Sequence, residues 1–77
     1  MTAPAGSLKV AKKKLGYRIR TLRRQKGWNQ TQFARACRLH RSHVIQIERG
    51  SNVCLSTIVI IARKLNSTIA DLFEGVA

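Results

Sequence analysis

Negative charge is almost missing from this sequence. Its 77 residues hold three acids, Glu48, Asp71 and Glu74, against 15 Lys and Arg, for a formal net charge of +12. No acid precedes Glu48. A paired-carboxylate acid–base centre is therefore excluded. With two histidines and too little chain to enclose a sizeable pocket, nothing supports an enzyme, a cofactor or a small-molecule ligand. Two cysteines, Cys37 and Cys54, do not make a disulfide framework. No segment approaches the ~20 apolar residues of a membrane span, and MTAPAGSLKV lacks the continuous apolar run of a signal peptide. The expected setting is the reduced cytosol. Aromatic side chains are scarce too, with only Tyr17, Trp28, Phe33 and Phe73 available.

What is abundant is cation. A charge of +12 on so short a chain opposes its own folding, and a polyanionic partner is the natural reason to keep it. The acids are crowded toward the C-terminus, so one end of the chain is prepared for phosphate and the other is not.

Residues 1–8, with the single proline, read as a loose arm, and 9–77 as one domain. From Lys9 to Lys26 the spacing of Leu8, Ala11, Leu15, Ile19 and Leu22 predicts one helix with a single apolar face. Lys12, Lys13, Lys14, Arg18, Arg20, Arg24 and Lys26 fill its remaining arc. Seven like charges on one helix repel one another, so a role facing phosphate competes evenly with a merely solvated face. Gly27 stops the helix.

A second helix starts at Asn29, a good N-cap, with Gln32 placed to close a capping box and Trp28 and Phe33 forming a hydrophobic staple. Its unpaired N–H groups, with Asn29 and Gln30, suit a DNA phosphate. It runs to Cys37 with Phe33, Ala34 and Cys37 inward. Arg38 and Leu39 make a turn, and His40 is the expected cap of a third helix, Arg41 to Arg49. There Val44 and Ile47 share one arc, with His43 and Glu48 at its edges. Arg41, Ser42, Ile45, Gln46 and Arg49 share the opposite arc. That outward set is a base-reading vocabulary. Arg grips guanine bidentately, Gln does the same with adenine, Ser adapts, and an apolar side chain meets the thymine methyl. Arg41, Ser42, Ile45 and Gln46 are therefore the candidate base contacts, and Asn29, Gln30, His43 and Arg49 the candidate phosphate contacts. Glu48 borders the apolar arc and needs a cation, for which Arg23 is the candidate.

Gly50 to Val53 form a loop. A fourth helix over Leu55 to Leu65 has Leu55, Ile58, Ile61, Ala62 and Leu65 as its core stripe. Val59 and Ile60 are surplus apolar residues, and with Phe73 they are the candidate dimer interface. Asn66 ends this helix, and Thr68 with Asp71 caps a last short one, Ile69 to Glu74. Cys37, His40, His43 and Cys54 are nominally a two-Cys, two-His set. Cys37 faces inward while His40 opens a helix and His43 lies on its next turn, so no metal site is expected.

The run of Gly16, Ile19, Leu22-Arg23, Gly27, Gln30-Thr31-Gln32-Phe33-Ala34, Ile47-Glu48-Arg49-Gly50, Ile61-Ala62-Arg63-Lys64-Leu65 and Asp71-Leu72-Phe73 resembles the Cro/phage-repressor, or XRE-type, helix-turn-helix class. Arg38 stands where that class usually carries Gly, and Cys54 where Pro or Ser often leads into the fourth helix. The resemblance implies an all-α, compact five-helix, lambda-repressor-like domain that binds a palindromic operator in double-stranded DNA as a homodimer. It implies phosphate contacts at Asn29 and Gln30, base contacts at Arg41, Ser42, Ile45 and Gln46, and a buried pair at Arg23 and Glu48. Small restriction–modification controllers and phage or plasmid regulators are similar in layout. The alternative left open is a basic RNA-binding or nucleoid-associated protein, against which the lack of an aromatic stacking platform counts.

Overall fold

The computed structural model describes residues 6–76, and these form five helices with no strand among the described residues. The first, α1, spans Gly6–Gln25; α2 spans Gln30–Cys37, α3 Arg41–Glu48, α4 Leu55–Lys64 and α5 Ile69–Leu72. No helix among the described residues is long and apolar enough to cross a membrane. α1 packs on α3 and α5, α2 packs on α3 and α4, and α4 packs on α5. The core at their junction is Leu15, Ile19, Phe33, Ala34, Cys37, Val44, Ile47, Ile58, Ile61, Ala62, Leu65, Leu72 and Val76.

Local chemistry sets three of the helix ends, the close of α1 and the starts of α2 and α5. Gly27 takes φ +84° and closes α1. At the start of α2 the Asn29 side chain accepts from the Gln32 N–H at 2.8 Å, and the Gln32 side chain accepts from the Asn29 N–H at 2.8 Å. Two of the donors that open every helix are thereby satisfied. The Trp28 and Phe33 rings stand 6.0 Å apart, closing the staple, and the Lys26 ammonium lies 5.1 Å from the Trp28 ring centre. Thr68 and Asp71 form the same reciprocal cap on α5, at 3.0 and 3.2 Å.

The structure departs from expectation in several places. α1 begins at Gly6 rather than Lys9, so residues 6–8 of the expected arm are helical; residues 1–5 lie outside the described residues. Leu8 is 65% exposed. It keeps the azimuth of Leu15 but lies two turns ahead of it, at the rim of the core. Leu55 is also exposed, not part of the core stripe. At 100° per residue, the residues buried on α4 and just after it, Thr57, Ile58, Ile61, Ala62 and Leu65, centre about 90° away from Leu55. Thr57 turns inward instead. His40 has the extended backbone of an N-cap but donates and accepts no side-chain capping bond. α5 stops at Leu72, short of Glu74.

Two glycines mark close approaches. A Cβ on Gly16 would fall 2.4 Å from the Ile47 carbonyl oxygen and 2.8 Å from that of Glu48, so only glycine lets α1 lie directly on the backbone of α3. Gly50, at φ +98°, turns the chain out of α3 against Lys13, and Lys12 Nζ donates to Asn52 Oδ1 at 3.0 Å in the loop that follows. The long first helix thus fixes both the body and the exit of α3.

Candidate nucleic-acid interface

α2, the turn at 38–40 and α3 form a helix-turn-helix. The turn is made by Arg38, which holds φ 56° and ψ 42° while its N–H reaches the carbonyls of Ala34 and Arg35. A left-handed arginine is costly relative to glycine, so this turn is held by its packing more than by its residue type. Leu39 anchors the turn, donating its N–H to the Ala34 carbonyl at 2.8 Å and packing partly buried against the core.

α3 then divides into two faces. Val44 and Ile47 are buried against α1 and α2. Arg41, Ser42, Gln46 and Arg49 are exposed, and Ile45 and His43 are half-buried. Of the four expected base-contact residues, Arg41, Ser42 and Gln46 are therefore exposed on the face turned away from the core, whereas Ile45, expected to point outward with them, is half-buried. Asn29 is exposed at the head of α2, although its side-chain oxygen is engaged by the Gln32 N–H, and Gln30 is half-buried beside it.

Beneath this face lies the Arg23–Glu48 pair. Arg23 Nε donates to Glu48 Oε2 at 2.7 Å and Nη2 donates to Oε1 at 3.1 Å, a two-pronged contact with both side chains less than a tenth exposed. Arg23 Nη1 also donates to the Trp28 carbonyl at 2.8 Å. Gln30 Nε2 donates to Glu48 Oε1 at 3.2 Å. One carboxylate therefore binds the end of α1, the start of α2 and α3 together. The Gln30 bond has no signature in the local sequence, because its partners are separated by a helix and a turn.

Ile60 and Phe73, expected at a dimer interface, are exposed by 38% and 39%, and Val59 is half-buried. Cys37 is buried, and burial raises its thiol from 9.0 to about 11, offset in part by the Lys64 charge. Cys54 is exposed. Among the described residues no three His, Cys, Asp or Glu side chains gather closely enough to hold a metal ion.

Residues 19–72 match the family model described as Helix-turn-helix, which is more than half of the chain. The chain belongs to the helix-turn-helix family. It is of the XRE type, a family of DNA-binding transcription regulators. It is similar to the control protein C.SmaI of Serratia marcescens, 36% identical over 59 residues that cover 75% of this chain and 70% of that protein. It is also similar to a hypothetical transcription factor of Neisseria meningitidis serogroup B, 42% identical over 52 residues that cover 66% of this chain. That match spans only 49% of the Neisseria protein. Among solved structures, the restriction–modification controller protein C.AhdI from Aeromonas hydrophila superposes with a TM-score of 0.75 at 39% identity, covering 78% of this chain and 92% of that one.

Proposed function

We propose that this chain is a sequence-specific regulator that reads a palindromic operator in double-stranded DNA as a homodimer, with α3, which ends at Glu48 rather than at the expected Arg49, in the major groove. The observation that carries this reading is the outer arc of α3. Arg41, Ser42 and Gln46 are exposed there with Ile45 half-buried among them, while the only acid on the helix is neutralised from below by Arg23. A helix face kept for solvent alone would favour Lys and Glu and would not spend an isoleucine. Asn29 and Gln30 at the head of α2, with His43 and Arg49 flanking the reading arc, contact the phosphates that set its register.

Dimerisation is supported by the apolar residues left exposed on so small a domain, Ile60 and Phe73, with Val59 half-buried. Two copies related by a two-fold axis would present their third helices to half-sites about 34–36 Å apart. The likeness to C.AhdI favours a controller's role in a restriction–modification system.

Selection of binding sites from random duplexes with the purified protein tests the reading. It predicts an enriched site with two inverted half-sites separated by about one helical turn. Arg41→Ala is then expected to cost about 1–3 kcal/mol on the selected site and to relax preference at one base position. Failure to enrich any duplex, with tighter binding to RNA in direct competition, would overturn it in favour of an RNA-binding protein.

A further inference from the structure

A recess of about 310 Å³ lies between the last turns of α1 and the outer flank of α3. The Arg23–Glu48 pair and Gln30 contribute to its lining, with Arg20 and Arg24 from α1 and Arg49 at the end of α3. The only acid there is already engaged. Glu48 Oε2 is taken by Arg23, and Oε1 by Arg23 and Gln30. Arg20, Arg24 and Arg49 are exposed, and their guanidinium groups have no hydrogen-bond or acidic partner among the described residues. Arg18 is a useful contrast. Two positions from Arg20, it lies on the opposite flank of α1 and serves the fold, donating to the Asp71 carbonyl at 3.0 Å and to the exposed Glu74 carboxylate at 3.4 Å. Nothing in the fold requires the other three arginines to share one hollow, and their mutual repulsion opposes the arrangement.

We propose that this recess seats one backbone phosphate of a DNA duplex, held by Arg20 and Arg24 together with Arg49, so that the DNA interface extends from the helix-turn-helix onto α1. The proposal rests on the DNA-binding reading above. Its place in the fold favours DNA as the source of the phosphate. Gln30, at the head of α2, and Ile45, on the base-reading arc, line the same hollow, so a strand that borders a groove occupied by α3 passes over it. The lining has no aromatic side chain on which a free nucleotide's base would stack. Arginine's planar fork suits phosphate oxygens, and a contact of this kind adds affinity without reading sequence.

The test compares Arg20→Gln/Arg24→Gln with an equally discharged control, Arg63→Gln/Lys64→Gln, at the exposed end of α4. Binding to a mixed-sequence duplex of about two helical turns is followed by fluorescence anisotropy between about 50 and 200 mM salt. Losing one phosphate contact should flatten the slope of log K against log salt by about 0.9. Affinity should fall by roughly 15-fold at 50 mM and roughly 4-fold at 200 mM. The control pair should keep the parent's slope, and Arg20→Lys/Arg24→Lys, which retains both charges, should keep it too. Melting curves run alongside should stay near the parent's, because neither Arg20 nor Arg24 supports another side chain. If the double Gln variant behaves as the control does while the parent binds duplex, the recess is not a phosphate seat and the DNA-binding reading stands. If the parent binds no duplex at all, both fall.

Discussion

Replacing Glu48 with Gln removes one charge from the most constrained polar cluster in the molecule. The carboxylate accepts from Arg23 at 2.7 and 3.1 Å and from Gln30 at 3.2 Å, and the pair is nearly sealed from solvent. Glu48→Gln would leave the buried Arg23 cation without its counter-charge and with two of its three acceptors, and would set an NH2 group against one of its donors. Breaking a buried pair from one side costs about 3–5 kcal/mol, and the amide's remaining oxygen puts this case near the lower figure. A chain of 77 residues has about 4–12 kcal/mol of stability in all. At about 4–8 °C per kcal/mol for a domain of this size, a loss of 3 kcal/mol lowers the melting temperature by about 12–24 °C. Helical circular dichroism on heating, paired with urea unfolding, would measure it. Arg23→Met/Glu48→Met should recover part of the loss, since two apolar side chains leave no stranded charge. A Glu48→Gln protein melting within a few degrees of the parent would show that the pair does not hold α1 to α3, and the account of the core's polar side would be wrong.

Gly16→Ala should destabilise by about 1–3 kcal/mol or more in urea unfolding, because the new methyl meets the carbonyl oxygens of Ile47 and Glu48, which cannot rotate away. Arg38→Gly should raise the melting temperature by a few degrees by relieving the left-handed turn, whereas Arg38→Val should lower it. Cys54 should react promptly with a thiol reagent in the folded protein, and Cys37 only as the protein unfolds. The Cys37 thiol is raised from 9.0 to about 11 by burial, so its contribution to stability is complete below pH 9 and is lost as pH rises toward 11; Cys37→Ser should flatten that part of a stability–pH curve.

The sequence was most informative where a structure is made by neighbours in the chain. The Asn29–Gln32 and Thr68–Asp71 caps, the Trp28–Phe33 staple and the stop at Gly27 involve residues within a turn or two, and all are legible without a fold. Glu48 could be read as needing a cation because it is a lone acid beside an apolar arc, and the family resemblance pointed to Arg23 among the many available. The two faces of α3 followed from its 100° periodicity. What could not be read depends on how helices meet. Nothing local distinguishes Gly16 from an indifferent helix glycine until α3 lies on it. Leu55 has the composition of a core residue but the wrong azimuth for this packing, and Thr57 has the opposite combination. The Gln30–Glu48 bond and the convergence of Arg20, Arg24 and Arg49 join side chains that are far apart along the chain.

The tether from Gln30 to Glu48 also bears on how this protein meets a partner. With one amide hydrogen held by a buried carboxylate, the side chain keeps its other hydrogen and its carbonyl oxygen free while much of its rotation is already lost. Freezing a loose glutamine on docking would cost about 0.5–1.5 kcal/mol, and folding has met most of that cost in advance. The head of α2 is thus rigid before any encounter, and a ligand arriving there meets a fixed outline that it must match rather than one that adjusts around it.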